Sequence, residues 1–124
     1  MSKKLFIVVI VDWFFLSHRK EIAIAAKNSG FDVTIISYDT GNKDKIESLG
    51  LNFINLPKPR SIQNIFKEFN IFLYLLRIYK DNKPDIIHHV GLKLILYGTI
   101  AAKIAGIKNV VNAISGLGII FSNE

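Results

Sequence analysis

A unit made of a β-branched strand, a helix and a closing glycine recurs along this chain of 124 residues. The first unit has a continuous Val/Ile strand over residues 4–11, a helix that Ser17 is placed to cap, and a stop at Gly30. Such an unbroken apolar strand is typical of a parallel sheet that is buried on both faces. Parallel neighbours need crossover connections, so the repeated unit predicts a Rossmann-like, doubly wound α/β sheet.

The later units follow the same order. The predicted strands are residues 32–37, 52–56, 85–89 and 109–113, and the predicted helices are residues 43–49, 61–80 and 92–105. Pro57 and Pro59 make a stiff connection before the long helix, because proline fixes its backbone and donates no hydrogen bond. The expected architecture is a single three-layer α/β/α domain over residues 1–124, with strand order 3-2-1-4-5.

The composition limits the cellular setting and the partners. The chain has no cysteine, which excludes disulfides, thiolate nucleophiles and Cys-ligated metals and favours a reducing cytoplasm. Its longest apolar stretch outside strand one, residues 71–76, is far shorter than the roughly 20 residues of a spanning helix. The net charge of +6 either favours an anionic partner or serves solubility alone. The dispersed cations and the absence of a recognised motif argue against nucleic acid.

Ligands of an open parallel sheet bind outside the carboxyl ends of its strands. The candidate cleft residues are Asp12, Trp13, Phe14, His18 and Arg19 after strand one, and Ser115, Gly116 and Gly118 after strand five. The loop after strand one has no glycine, which excludes a dinucleotide fingerprint and a P-loop. Its bulk predicts contact with a sugar or lipid, or with a second domain. His18 and Arg19 are suited to hold phosphate or are plain surface residues.

Three residues near strand four are candidates for chemistry: His88, His89 and Lys93. Adjacent strand residues point to opposite faces, so the two histidines are expected to diverge and at least one to lie in the core. Lys93 either places a cation beside the crevice at a helix start or is simply solvated. We predict no metal site and no cofactor.

The predicted helix 61–80 carries two apolar stripes. The stripe expected to face the sheet consists of Ile62, Ile65, Phe66, Phe69, Phe72, Leu73, Leu76 and Tyr79. The second consists of Ile71, Tyr74, Leu75 and Ile78, with Arg77 and Lys80 among its flanking cations. Either a neighbouring helix covers the second stripe, or it contacts a membrane surface or another polypeptide.

Three blocks of sequence, residues 13–19, 85–98 and 110–118, together resemble bacterial family-four glycosyltransferases. These are retaining GT-B enzymes that build lipid-linked surface polysaccharides such as capsule and lipopolysaccharide. The resemblance implies an acceptor-side N-terminal domain and a C-terminal domain that binds the nucleotide sugar. It places His88 and Lys93 near the reacting sugar. Val90 stands where many relatives have histidine, so that contact is absent or comes from His89.

The resemblance also implies a function and its limits. The expected reaction transfers a hexose from a nucleotide sugar to a lipid-linked glycan, in the cytoplasm or on the inner face of the cell membrane. The family's donor half, with two glutamates separated by seven residues, is missing, so we expect no activity from this chain alone. A further domain or a partner chain, as in a split transferase, would supply the donor. The alternative is a non-catalytic Rossmann-like interaction module that forms a homodimer, and a dinucleotide oxidoreductase is less favoured.

Overall fold

The computed structural model describes residues 3–57 and 65–113. In the helix that begins at Ile65, it describes the side chains from Phe69 onward. The elements are β1 (Lys4–Val11), α1 (Asp12–His18), α2 (Lys20–Asn28), β2 (Asp32–Tyr38), α3 (Lys43–Ser48), β3 (Asn52–Asn55), α4 (Ile65–Asn82), β4 (Ile86–Val90), α5 (Leu92–Ala105) and β5 (Asn109–Ala113). The five strands form one parallel sheet in the order β3-β2-β1-β4-β5. The predicted fold class and strand order are confirmed.

The central strand β1 lies between β2 and β4 and is buried on both faces. Ile7 pairs with Ile35 on one side and with His88 on the other. Two core clusters lie on opposite faces of the sheet. One cluster packs under α1, α2 and α3 and includes Ile7, Phe15 and Ala23. We call this side the α1–α3 face.

The opposite side, the α4–α5 face, holds the second core cluster. It joins alternate residues of β1 and β4, such as Val8 and Ile87, to Leu75 of α4 and Leu94 of α5. The helices α4 and α5 pack side by side over this face. Two helical layers around one sheet make the three-layer arrangement that the sequence predicts.

The segment after β1 differs from the prediction. It was expected to be a loop leading to a helix capped by Ser17. Instead α1 begins directly after Val11, and Arg19 alone separates α1 from α2. Ser17 lies in the last turn of α1, and no side-chain hydrogen bond caps α2. The immediate turn into α1 packs Phe15 into the core of the α1–α3 face, where it is fully buried with Val9 and Val90.

The orientation of α4 also corrects the prediction. Ile71, Leu75 and Ile78 are buried in the core, and the Tyr74 hydroxyl donates to the carbonyl of Asn55 at 2.6 Å. The expectation of a free membrane or partner stripe there is therefore wrong, although the flanking cations Arg77 and Lys80 are exposed. Two stripes of similar hydropathy give the sequence no way to choose the buried one. Packing against both the sheet and α5 decides it.

Candidate functional site

The carboxyl edge of the sheet brings together the segments that follow β1 and β4. Gly91 turns the chain from β4 into α5 with φ of +99°, a left-handed conformation that favours glycine. Its N–H donates to the carbonyl of Ala113 at 3.0 Å, which ties the turn to the end of β5. Lys93 is exposed in the first turn of α5 at this edge. The predicted residues after strand five, Ser115, Gly116 and Gly118, lie outside the described residues.

Asp12 is a buried carboxylate that organises this edge. Its oxygens accept hydrogen bonds from the Thr40 N–H at 2.8 Å, the Thr40 hydroxyl at 2.6 Å and the Asn42 N–H at 3.1 Å. Burial raises the pKa of Asp12, but these hydrogen bonds outweigh it and hold the pKa at about 2. Asp12 was predicted to line the cleft. The structure instead gives it the role of fixing the β2–α3 loop against the end of β1.

Aromatic side chains project from α1 at the same edge. Trp13 is 54% exposed and lies edge-on to Phe14, with ring centroids 6.3 Å apart. Phe14 in turn stacks on His18 at 4.3 Å. A cavity of about 250 Å³ at the α1–α2 junction is lined by Leu16, Ser17, His18, Lys20 and Glu21. This surface therefore offers aromatic faces beside polar groups.

His88 and His89 occupy opposite faces of the sheet, as predicted, and His89 is fully buried. The Tyr79 hydroxyl lies 2.8 Å from Nε2 of His89, and the His89 Nδ1 lies 3.0 Å from Oδ1 of Asn112. The Asn112 amide donates to the Thr99 hydroxyl at 3.2 Å. One placement of the protons satisfies both contacts of His89: the Tyr79 hydroxyl donates to Nε2 of His89, and the Nδ1–H of His89 donates to Oδ1 of Asn112.

Burial is the main reason that the pKa of His89 falls to about 4, although the Asn112 contact opposes it. Burial also raises the pKa of Tyr79. Both groups are therefore neutral at pH 7. A neutral ring with both nitrogens engaged and no exposed surface has no atom to offer a substrate. The candidate catalytic role of His89 is inconsistent with this position, and His89 is a core histidine.

His88 is half-buried on the α1–α3 face. Its Nδ1 lies 3.2 Å from the carbonyl oxygen of Val111. Burial and the nearby charge of Arg19 lower the pKa of His88, while the Val111 contact opposes them. His88 is therefore neutral at pH 7, and it lines an apolar groove that also contains Ile22 of α2.

The remaining cavities and clusters do not compete with this edge. A cavity of about 440 Å³ lies near the amino end of β5, lined by Thr99, Lys103, Gly106, Ile107, Lys108 and Val110. It is larger than the α1–α2 cavity but lies at the wrong end of a parallel sheet for a ligand site. Within residues 3–57 and 65–113, no cluster of three or more His, Asp or Glu side chains is placed to hold a metal ion. No helix in those ranges is long and apolar enough to cross a membrane.

Comparison with known proteins gives one family match. The model of the glycosyl transferase 4-like family matches residues 4–124. No curated protein sequence matches the chain. Among solved structures, MurG of Acinetobacter baumannii superposes with a TM-score of 0.72 at 16% identity, over 98% of this chain and 39% of that one.

Two further structures share the fold. A glycosyltransferase from Rickettsia africae has a TM-score of 0.68 at 19% identity, over 91% of this chain and 29% of its own. The UDP-GlcNAc 2-epimerase of Methanocaldococcus jannaschii has a TM-score of 0.65 at 20% identity, over 88% of this chain and 30% of its own. At such identities the likeness shows the fold alone. The chain spans less than two fifths of each of these proteins.

Proposed function

Because the chain belongs to the glycosyl transferase 4-like family, we propose that it is the acceptor-side domain of a glycosyltransferase. In the proposed reaction the complete enzyme transfers a hexose from a nucleotide sugar to a lipid-linked glycan in polysaccharide biosynthesis. The observation that carries the proposal is the half-exposed Trp13 on α1, the helix that also supplies Leu16, Ser17 and His18 to a polar cavity at the carboxyl edge of the doubly wound sheet. Ligands of such sheets bind at this edge.

The edge residues have distinct proposed roles. Trp13 offers an aromatic face to the acceptor, and His18, stacked on Phe14, offers a ring nitrogen to sugar hydroxyls. Lys93 at the start of α5 places a cation where the acceptor carries its diphosphate. The donor site is proposed to lie on a further domain or on a partner chain, so the chain alone is expected to turn over no nucleotide sugar.

Trp13 provides the test, because it is the only tryptophan of the chain. Titration with a soluble isoprenyl diphosphate-linked hexose is expected to change its fluorescence saturably. Lys93→Gln is expected to weaken that binding about tenfold, since it removes a charge-assisted hydrogen bond. The matched control is Lys108→Gln, which removes an exposed cation before the amino end of β5 and should change nothing. A signal that is absent, or equal losses in both variants, would overturn the proposal.

A second surface, on α4 and α5, bears on the cellular location of the domain. Six large apolar side chains of α4 and α5 are 47–62% exposed, and we call them the outer surface: Phe69, Leu73, Leu92, Leu96, Ile100 and Ile104. The four residues from α5 recur every fourth position, so they form one row along the helix. An apolar row of this kind is unusual on a monomer that meets only water.

The charges around the outer surface favour an anionic bilayer as its partner. Arg77, Lys80 and Lys103 are exposed on the same two helices, and the chain carries a net charge of +6. Apolar residues surrounded by cations suit the interface of anionic lipids. Arg77 lies 4.0 Å from the exposed Asp81, but Lys80 and Lys103 leave an excess of positive charge, which two copies meeting through this surface would bring together. We therefore propose that α4 and α5 rest on the inner face of the cell membrane.

Replacing Leu96 and Ile100 together by serine is expected to lower binding to phosphatidylglycerol vesicles about tenfold or more, because both aliphatic side chains leave the lipid. Co-sedimentation at low salt measures this, and added salt should weaken binding by the parent chain. The control is Val111→Ser, which removes an equally exposed side chain from the opposite face of the sheet. Unchanged sedimentation of the double variant would contradict the proposal. Dimerisation that the double variant loses, without vesicle binding, would favour the interaction module.

A further inference from the structure

One half of the α1–α3 face is less covered than the other. In the described parts of the chain, the helices on this face contact β1, β2 and β3. Val111 of β5 is 54% exposed there, and Ile22 of α2 is 49% exposed. A parallel sheet normally has apolar cover on both faces. Among residues 3–57 and 65–113, Val90 at the end of β4 is covered, and the surface around Ile86, His88 and Val111 is open to an apolar ligand.

This open area is a groove rather than a flat patch. Its volume is about 290 Å³, and its lining consists of Leu5, Ile7, Ile22, Ile86, His88 and Val111. The strands supply the floor, since Leu5 pairs with Ile86 and Ile7 pairs with His88. Ile22 of α2 forms one wall. This volume lies at the lower end of the range for small-molecule sites, so the groove has room for one short alkyl chain.

The cation of Arg19 lies near the end of the groove that is closest to the carboxyl ends of the strands. Arg19 is the residue directly before α2, and it precedes Ile22 by three residues. Its charge is close enough to His88 to affect the titration of that ring. The Nε of Arg19 is buried and has no hydrogen-bond partner among the described residues. The guanidinium carries further N–H donors besides Nε, and a cation of this kind is suited to an anionic group.

We propose that this groove binds a single-chain amphiphile with an anionic head. The alkyl chain lies along β4 and β5 between Ile22 and Val111, and the head accepts hydrogen bonds from Arg19. The combination of an apolar floor and a cation at one end fits such a ligand and fits neither a free anion nor a neutral sugar. The groove is on the face opposite the outer surface of α4 and α5, so it is a site separate from the proposed membrane contact.

The test uses the whole chain and decyl phosphate below its micelle-forming concentration. Methyl NMR spectra are expected to show saturable shifts at Ile22, Ile86 and Val111 with one ligand per chain. Arg19→Gln should weaken decyl phosphate about tenfold and leave the weaker binding of decanol unchanged, because only the anionic head uses the guanidinium. Val111→Ser should weaken both ligands. Thermal unfolding of each variant confirms that the fold is retained.

Three results would overturn the inference: shifts that never saturate, shifts confined to α5, or equal shifts with inorganic phosphate alone. Lys45→Gln is the matched control for Arg19→Gln, because it removes an exposed cation of α3 and should leave decyl phosphate binding unchanged. A negative result in the decyl phosphate titration would not bear on the acceptor and membrane proposals, since those are tested through Lys93 and through α5.

Discussion

Replacing Gly98 with alanine is expected to lower the free energy of unfolding by about 3 kcal/mol, although alanine favours helix over glycine by about 1 kcal/mol. A Cβ at Gly98 would overlap Nε2 and Cδ2 of the His89 ring. The ring has no room to retreat, because it is fully buried and hydrogen-bonded through both nitrogens. The new methyl group therefore either displaces α5 or breaks the bond to Tyr79. Urea unfolding of the parent chain and of the Gly98→Ala variant measures the loss of unfolding free energy.

A double-mutant cycle separates the clash from other effects. In a His89→Ala background the ring is gone, and the added methyl group fills part of the space it leaves. The substitution at Gly98 should then cost nothing or stabilise the chain slightly, which gives a large coupling between the two positions. The same cost in both backgrounds would show that the contact with His89 is not the cause.

His89→Leu is expected to cost about 2 kcal/mol of unfolding free energy. The leucine fills similar space but leaves the buried Tyr79 hydroxyl without its partner, and one unsatisfied buried group costs about 1–3 kcal/mol, whereas the exposed Asn112 side chain can bond to water instead. The matched control is His88→Leu on the other face, where the ring is only half-buried and the loss should stay below about 1 kcal/mol. Equal losses at the two positions would contradict the assignment of His89 to the core.

The same residue gives stability a pH dependence. The folded chain holds the pKa of His89 at about 4, below the ordinary value of 6.5, so the unfolded chain takes up its proton first as the pH falls. The stability contributed by neutral His89 is therefore complete above pH 6.5 and is lost progressively down to pH 4, by up to about 1.4 kcal/mol per pH unit. His89→Leu should lose this part of the slope and keep only the contribution of His88, whose pKa is also lowered in the folded chain. The contribution of Asp12 falls in a separate window, between its ordinary pKa of 3.8 and about 2.

The sheet was predictable because its signals are local and agree with one another. The Val/Ile run of β1 and the repeated crossover units predict a parallel sheet, and the predicted bounds of all five strands lie within one residue of the observed ones. The divergence of His88 and His89 follows from the two-residue period of a strand. These inferences need no knowledge of the neighbouring elements.

The helix faces and the site depended on contacts between distant segments. Asp12 looks like a cleft residue in the sequence, and its partners Thr40 and Asn42 lie 28 and 30 residues away. The polar Asp-Thr-Gly-Asn loop that contains them was the available signal. The outer row of α5 was missed because that helix is apolar almost all round, so its periodicity does not show which side meets solvent.

The most direct test of the acceptor-side assignment compares two ligands on the same chain by amide NMR. One titration uses the isoprenyl diphosphate-linked hexose, and the other uses a UDP-hexose. The assignment predicts that the diphosphate-linked hexose shifts the Trp13 indole signal and the amides of Gly91 and Lys93, while the UDP-hexose shifts none of them. Binding of the UDP-hexose at these residues, with no response to the acceptor analogue, would contradict the assignment and make this edge a donor site.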